Sequence, residues 1–236
     1  MKENRTVTKD GKTLPFTLSR RKTSRITIRV TGDGRVAVSA PTRALLREID
    51  RAVEKNFETI LSALAKSTPP RPLAEGAAVF YLGDAYRLSV AVGKPSLTFS
   101  DGVARLCVSS MEKALEDAYE KECRKLFLAL ITERCLTFEA QHPAFAEKRK
   151  EIRVRQMKSV WGNCRPEQGI LTFSTHLLRF SVPLIDGVVA HEYTHLFYGG
   201  HGKAFYDALS RVSPDYRALK HTLEAQNRAQ RKEMAK

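Results

Sequence analysis

Residues 191–201 read His-Glu-Tyr-Thr-His-Leu-Phe-Tyr-Gly-Gly-His, three imidazoles and one carboxylate at spacings that suit chemistry on a metal ion. On a helix, His191 and His195 are four residues apart, so both rings project from one face, a turn from each other. That spacing lets two nitrogens bind one zinc ion at about 2.0–2.1 Å. Glu192 reaches a neighbouring part of the same surface. It need not touch the metal; it suits a general base that holds the attacking water and takes its proton. Gly199-Gly200 ends the helix and turns the chain, because glycine adopts left-handed dihedrals at little cost. The turn returns His201 as a third ligand. Three protein ligands leave the fourth zinc position open, the mark of a catalytic rather than a structural site.

The elements that must position these residues are legible around them. Pro183 suits a first helical turn, and Leu184, Ile185, Val188 and Val189 form an apolar stripe that buries the metal helix against a core. Further helices are expected from about Lys203 and after Ser213-Pro214. Upstream, Ile26–Val30 alternates with a period of two and continues at Val36 and Val38 after the turn signal Gly32-Asp33-Gly34. A helix is expected from Pro41-Thr42 to about Lys66, followed by a proline-stiffened linker, Ser67–Pro72. Residues 78–108 read as a second strand group with a hairpin at Asp101-Gly102. A long amphipathic helix is expected from Met111 to about Gln141. Glu151–Met157 alternates again, and Ile170–Phe173 is a short strand that suits a cleft edge, where an extended peptide adds as a further strand. These elements give an α+β fold, with a basic strand-rich N-terminal region over 1–110 and a mostly helical metal-binding domain over 111–236.

Composition narrows the setting. The chain has 236 residues, 42% hydrophobic and 28% charged, enough for a sizeable core. No run of about 18 apolar residues is present, so no membrane span is expected. The polar start, Met-Lys-Glu-Asn-Arg-Thr, lacks the apolar stretch of a signal peptide. Cys107, Cys123, Cys135 and Cys164 form no Cys-x-x-Cys pair; with no export signal, reduced thiols in a cytoplasmic protein are expected. The net charge is +14, and residues 1–66 hold 15 Lys and Arg against 7 Asp and Glu. Arg20, Arg21, Lys22 and Arg25 form the densest cluster. Such a field attracts polyanions, which makes nucleic acid a second expected partner beside a peptide or protein substrate. Neither aromatic interleaving nor a nucleic-acid motif accompanies it.

Several separated segments resemble the YgjP-like family of small zinc metallopeptidases, relatives of the SprT-like metalloprotease domains. They are Arg20-Arg21-Lys22 with Ile26–Val30, Tyr81-Leu82-Gly83-Asp84 running on to Leu88, and Met157 to Cys164 with its Trp161-Gly162-Asn163-Cys164 loop. His191-Glu192, His195, His201 and Phe205 follow, then Pro214-Asp215-Tyr216. The resemblance implies a zincin-like metallopeptidase domain, zinc held by His191, His195 and His201, and Glu192 as catalytic base. Asn163, Ser174 and Ala190 depart from the residues common in the family at those positions. A metzincin would need glycine where this chain has Tyr198, and a Met-turn that the tail does not supply. A peptide deformylase would use a cysteine as third ligand; Cys164 is better read as a packing thiol because His201 already serves. Trp161, His142, His176 and His221 read as packing or surface residues. Tyr193, Tyr198 and Tyr206 each carry a phenol that suits the oxyanion of a tetrahedral intermediate, and sequence does not choose among them. The leading expectation is a zinc endopeptidase. The alternatives are a nucleic-acid-associated module with a structural metal, a protease acting on DNA-bound proteins, and a zinc hydrolase of another class.

Overall fold

The structure, a computed structural model, describes residues 2–31, 34–66, 72–110, 115–157 and 159–234. Gly32-Asp33 of the first turn signal, Ser67–Arg71 of the linker, Met111–Ala114 at the start of the long helix and Lys158 lie outside them. The chain forms two compact units, Met1–Arg71 and Pro72–Met234.

In the first unit, β1 (Lys2–Lys9), β2 (Lys12–Arg21), β3 (Thr27–Val30) and β4 (Val36–Pro41) form one sheet in the order β1-β2-β4-β3. The hairpin of β1 and β2 is absent from the sequence reading. Its turn, Asp10-Gly11 at φ 50° and 73°, suits a two-residue connection between antiparallel strands. The strand itself is nearly all polar, with Val7 the one buried residue among its described side chains, so it carries no alternation to read. The expected single helix is two, α1 (Leu46–Lys55) and α2 (Phe57–Lys66), interrupted at Asn56, whose side-chain amide donates to the Ala52 carbonyl at 2.8 Å. Pro41 ends β4 rather than opening the helix. The core joins Leu14, Phe16 and Leu18 of β2 to Ile49, Val53, Phe57 and Ile60 of the helices.

In the second unit, β5 (Ala78–Tyr81), β6 (Asp84–Val92), β7 (Ser96–Ser100) and β8 (Val103–Val108) form a sheet in the order β5-β6-β8-β7. The Asp101-Gly102 hairpin forms as expected, at φ 49° and 73°. Helix α3 (Leu115–Gln141) and the single turn α4 (Pro143–Ala146) follow. Strands β9 (Glu151–Arg155), β10 (Gly162–Arg165) and β11 (Ile170–Ser174) form a small sheet in the order β10-β11-β9. Helices α5 (Val182–Thr194), α6 (Lys203–Val212) and α7 (Tyr216–Glu233) complete the unit.

Two expectations change here. The compact unit that carries the metal motif begins at Pro72, not at 111. The reason is burial: Val79, Leu88, Leu97 and Leu106 of β5–β8 share one core with Phe127, Phe173 and Val189. The cleft edge is also not β11. All five β11 residues are buried, and the strand pairs on both sides, parallel to β9 and antiparallel to β10. Of the two outer strands, β9 and β10, it is β10 that lines the cavity, a strand too short and polar to be legible.

Candidate active site

The floor of the site is the C-terminal half of α5. Its inner face packs Leu184, Ile185, Val189 and Tyr193 into the core, which fixes the rotation of the helix and aims His191 and His195 outward. Helix α5 ends at Thr194, ahead of Gly199-Gly200, and neither glycine takes the expected left-handed φ; the chain turns through them in ordinary backbone and enters α6 at Lys203, bringing His201 back. The Nε2 atoms of His191, His195 and His201 form a nearly equilateral triangle with sides of 3.2, 3.1 and 3.1 Å. Nitrogens bound to a tetrahedral zinc at about 2.0–2.1 Å lie roughly 3.3–3.4 Å apart, so the triangle fits one such ion. These three are the one group of three or more potential metal-ligating residues among the described residues.

The electrostatics favour neutral, lone-pair-bearing rings. His195 Nδ1 lies 2.9 Å from the Tyr198 carbonyl, which can only accept; this assigns the ring proton to Nδ1 and leaves Nε2 free to bind a metal. Burial pushes the His191 pKa down to about 3, with further lowering from His195, His201 and Lys220. Its Nδ1 is buried without a hydrogen-bond partner among the described residues. His201 is lowered by burial, then by His195 and Lys220. Phe205 of α6 backs all three rings, with centroids 4.5–5.0 Å away.

Glu192 is 5% exposed, and burial pushes its pKa up to about 8. Its carboxyl lies against the β10 backbone at Gly162. A Cβ at that position would stand 2.5 Å from Cγ, Cδ and Oε1 of Glu192, so only glycine leaves room for the side chain. A bound dication would oppose the effect of burial and draw the carboxyl back toward its ionised form.

Above this floor opens a cavity of about 720 Å³. Trp161, Gly162, Asn163 and Cys164 wall one side, and Tyr206 with Tyr216, Lys220 and Glu224 of α7 wall the other. Cys164 borders the cavity but stands apart from the three-histidine group; burial, then the charge of Glu192, pushes its thiol up to about 12, against a thiolate ligand. Trp161 packs edge-on to Phe180 at 5.2 Å, the packing role expected of it, while also facing the cavity. His142 packs with Phe138 and Phe145. His221 is on the exposed side of α7, and His176 does not line the cavity.

The phenols separate clearly. Tyr193 is fully buried and donates to Glu139 Oε1 at 2.6 Å, so it is not a donor to substrate. Tyr198 contributes its carbonyl to His195. Tyr206 lines the cavity, and so does Tyr216, a residue the chemical reading of the sequence did not single out. The Tyr216 ring stacks on His191, with centroids 5.3 Å apart and planes at 17°. Burial, then Tyr206, Glu192 and Glu224, raises its pKa and keeps the O–H a donor. Nothing local links Tyr216 to His191: they lie on different helices, 25 positions apart, and only the Pro214-Asp215-Tyr216 resemblance marks the residue.

A protein-family model described as YgjP-like, metallopeptidase domain matches residues 24–226. No curated protein matches the chain. Among solved structures, the chain is similar to the crystal structure of the metallopeptidase zymogen of Pyrococcus abyssi abylysin, at 15% identity and a TM-score of 0.36, over 41% of this chain and 93% of that one.

Proposed function

Because the chain belongs to the YgjP-like metallopeptidase family, whose hydrolysis of peptide bonds depends on a metal, we propose that it is a zinc endopeptidase of the His-Glu-x-x-His type. In this reading His191, His195 and His201 hold the ion and Glu192 is the general base. The observation that carries it is the triangle of Nε2 atoms, 3.1–3.2 Å on a side, with a buried carboxyl on the next residue of the same helix. Three neutral imidazoles are a donor set that suits zinc. When bound, the ion supplies Lewis acidity that polarises the scissile carbonyl and makes the attacking water acidic.

The chain's own residues do the rest. The β10 edge offers unpaired backbone groups to an extended substrate, which holds a peptide bond over the floor of the cleft. Glu192 takes a proton from the attacking water and passes it to the leaving amine nitrogen. Gly162 keeps the Glu192 carboxyl in that position. The Tyr216 phenol donates a hydrogen bond to the carbonyl oxygen as that oxygen gains negative charge.

The test is Glu192→Gln, measured as hydrolysis of an unfolded protein and of quenched fluorescent peptides, with zinc quantified in the same samples. The variant should keep one zinc per chain and lose about a hundredfold or more in hydrolysis. Wild-type-like hydrolysis would sink the mechanism, and loss of zinc would make Glu192 a ligand or a residue that orients one. Tyr216→Phe should also keep its zinc and lose about a hundredfold in kcat, the scale of one oxyanion donor.

A further inference from the structure

A second cavity, of about 370 Å³, opens beside the first and is lined by Tyr206, Tyr216, Arg217, Lys220, His221 and Glu224. Tyr206, Tyr216, Lys220 and Glu224 line both, so the two spaces adjoin along the first turns of α7. The helix makes this wall by its periodicity. Tyr216, Lys220 and Glu224 stand at i, i+4 and i+8 on one stripe, with Arg217 and His221 at i, i+4 on the next.

The charge of this wall is uncommitted. The side chains of Arg217 and Lys220 form no ion pair or hydrogen bond among the described residues. On α6, Lys203 does bind its i+4 carboxylate, Asp207, at 2.7 Å. Lys220 and Glu224 have the same spacing and order yet are not joined. Lys220 lines the first cavity together with His191 and His201. Arg217 and Lys220 therefore face one carboxylate, Glu224, in a space that shares four lining residues with the cleft. The positive end of the α7 dipole lies at the same turn and adds to the field.

We propose that this adjoining cavity is a specificity subsite for a carboxylate of the substrate, received by Lys220 with Arg217, so that the enzyme prefers an acidic group on the α7 side of the scissile bond. The inference rests on the peptidase reading of the cleft. Its ligand is an Asp or Glu side chain within the peptide, or the terminal carboxylate of a chain that ends there; both present the same anion to the same two cations.

The experiment measures peptide binding rather than turnover. Zinc-loaded Glu192→Gln protein is titrated, by fluorescence anisotropy, into labelled peptides that carry Glu, Gln or Lys at successive positions, each made with a free acid and with an amide C-terminus. Glu at one position, or the free acid at one length, should tighten binding about five- to tenfold over its neutral counterpart, the scale of a single partly screened charge pair. A gain that depends on the internal Glu identifies a side chain, and one that depends on the free acid identifies a chain end. The added substitutions Arg217→Gln with Lys220→Gln should abolish the preference, Lys220→Arg should keep it, and Lys220→Glu should turn it toward the Lys peptide. Equal affinity for all peptides, or a preference unchanged in the double variant, overturns the subsite. Hydrolysis by the wild type without acid preference also overturns it while leaving the peptidase standing. An acid preference without wild-type hydrolysis does the reverse, and the absence of any peptide binding overturns both.

Discussion

Gly162 and Glu192 are far apart in the chain and opposite in character, yet each requires the other. The absence of a side chain on β10 is what admits the carboxyl of α5, since a Cβ there would stand 2.5 Å from three of its atoms. Neither can yield cheaply, because Glu192 is buried and the Gly162 backbone is held in the antiparallel pairing with Phe173. Gly162→Ala should therefore displace the carboxyl while leaving the three imidazoles, which lie on α5 and the turn after it. The expected outcome is unchanged zinc content and a loss of about a hundredfold in kcat, the cost of moving a positioned group by roughly an ångström. Parallel zinc analysis and steady-state kinetics check it; full activity would mean that Glu192 does not act from this position.

At the scale of elements, the metal helix is held from behind. Tyr193 of α5 donates to Glu139 of α3 at 2.6 Å, and Arg149 grips the same carboxylate through Nε and Nη2 at 2.6 and 2.7 Å. Burial pushes the Glu139 carboxyl up, but the bonds from Arg149 and Tyr193 and the charge of Arg149 outweigh it and leave the pKa below its ordinary 4.5. A depressed carboxylate contributes stability that is fully present above its unfolded value and is lost as pH falls through its folded one. The resistance of the wild type to urea should thus fall on acidification below about pH 4.5. Arg149→Met leaves Glu139 buried without its cation, and should cost about 2–3 kcal/mol at pH 7, somewhat under the range for a fully buried pair because Arg149 is 21% exposed. In that variant the acid-side loss should shrink or reverse, because protonation now relieves an unpaired charge. A parallel pH dependence in the two proteins would remove Glu139 from the account.

For the whole molecule, the basic N-terminal unit carries the expectation of a polyanionic partner. The structure divides its densest cluster. Arg20 donates through Nη1 to the carbonyls of Pro41, Thr42 and Ala44 at 3.3, 3.2 and 2.8 Å, so its guanidinium is bound within the unit. Arg21, Lys22 and Arg25 are exposed. If nucleic acid is a partner, affinity for nonspecific DNA should fall steeply with salt, because neutralised phosphates release counterions. Arg21→Glu with Arg25→Glu should weaken it at every salt concentration and flatten the slope, with folding intact because Arg20 is spared. No binding at low salt would leave the charge as a solubilising surface. Among the described residues no helix is long and apolar enough to cross a membrane.

Sequence by itself determined the parts of this protein that are local consequences of the backbone. Four residues of α-helix bring two side chains onto one face, and a Gly-Gly turn lets a third return, so His191, His195 and His201 were legible as a group before any fold was known. The Asp101-Gly102 hairpin was legible for the same reason, since a two-residue turn with positive φ sets its own geometry. Val36 to Pro41, alternating buried and half-buried, shows how a half-buried strand reveals itself. Only the tertiary structure decided which strand edges the cleft, because β10 is short and polar and its place follows from β11 being paired on both sides. It alone set Gly162 against Glu192, stacked Tyr216 on His191, and placed Lys220 in the wall of the same cavity. These pairs lie on separate elements, and their meeting depends on how a shared core fixes the rotation and distance of α5, α7 and β10. No periodicity within a single segment encodes that.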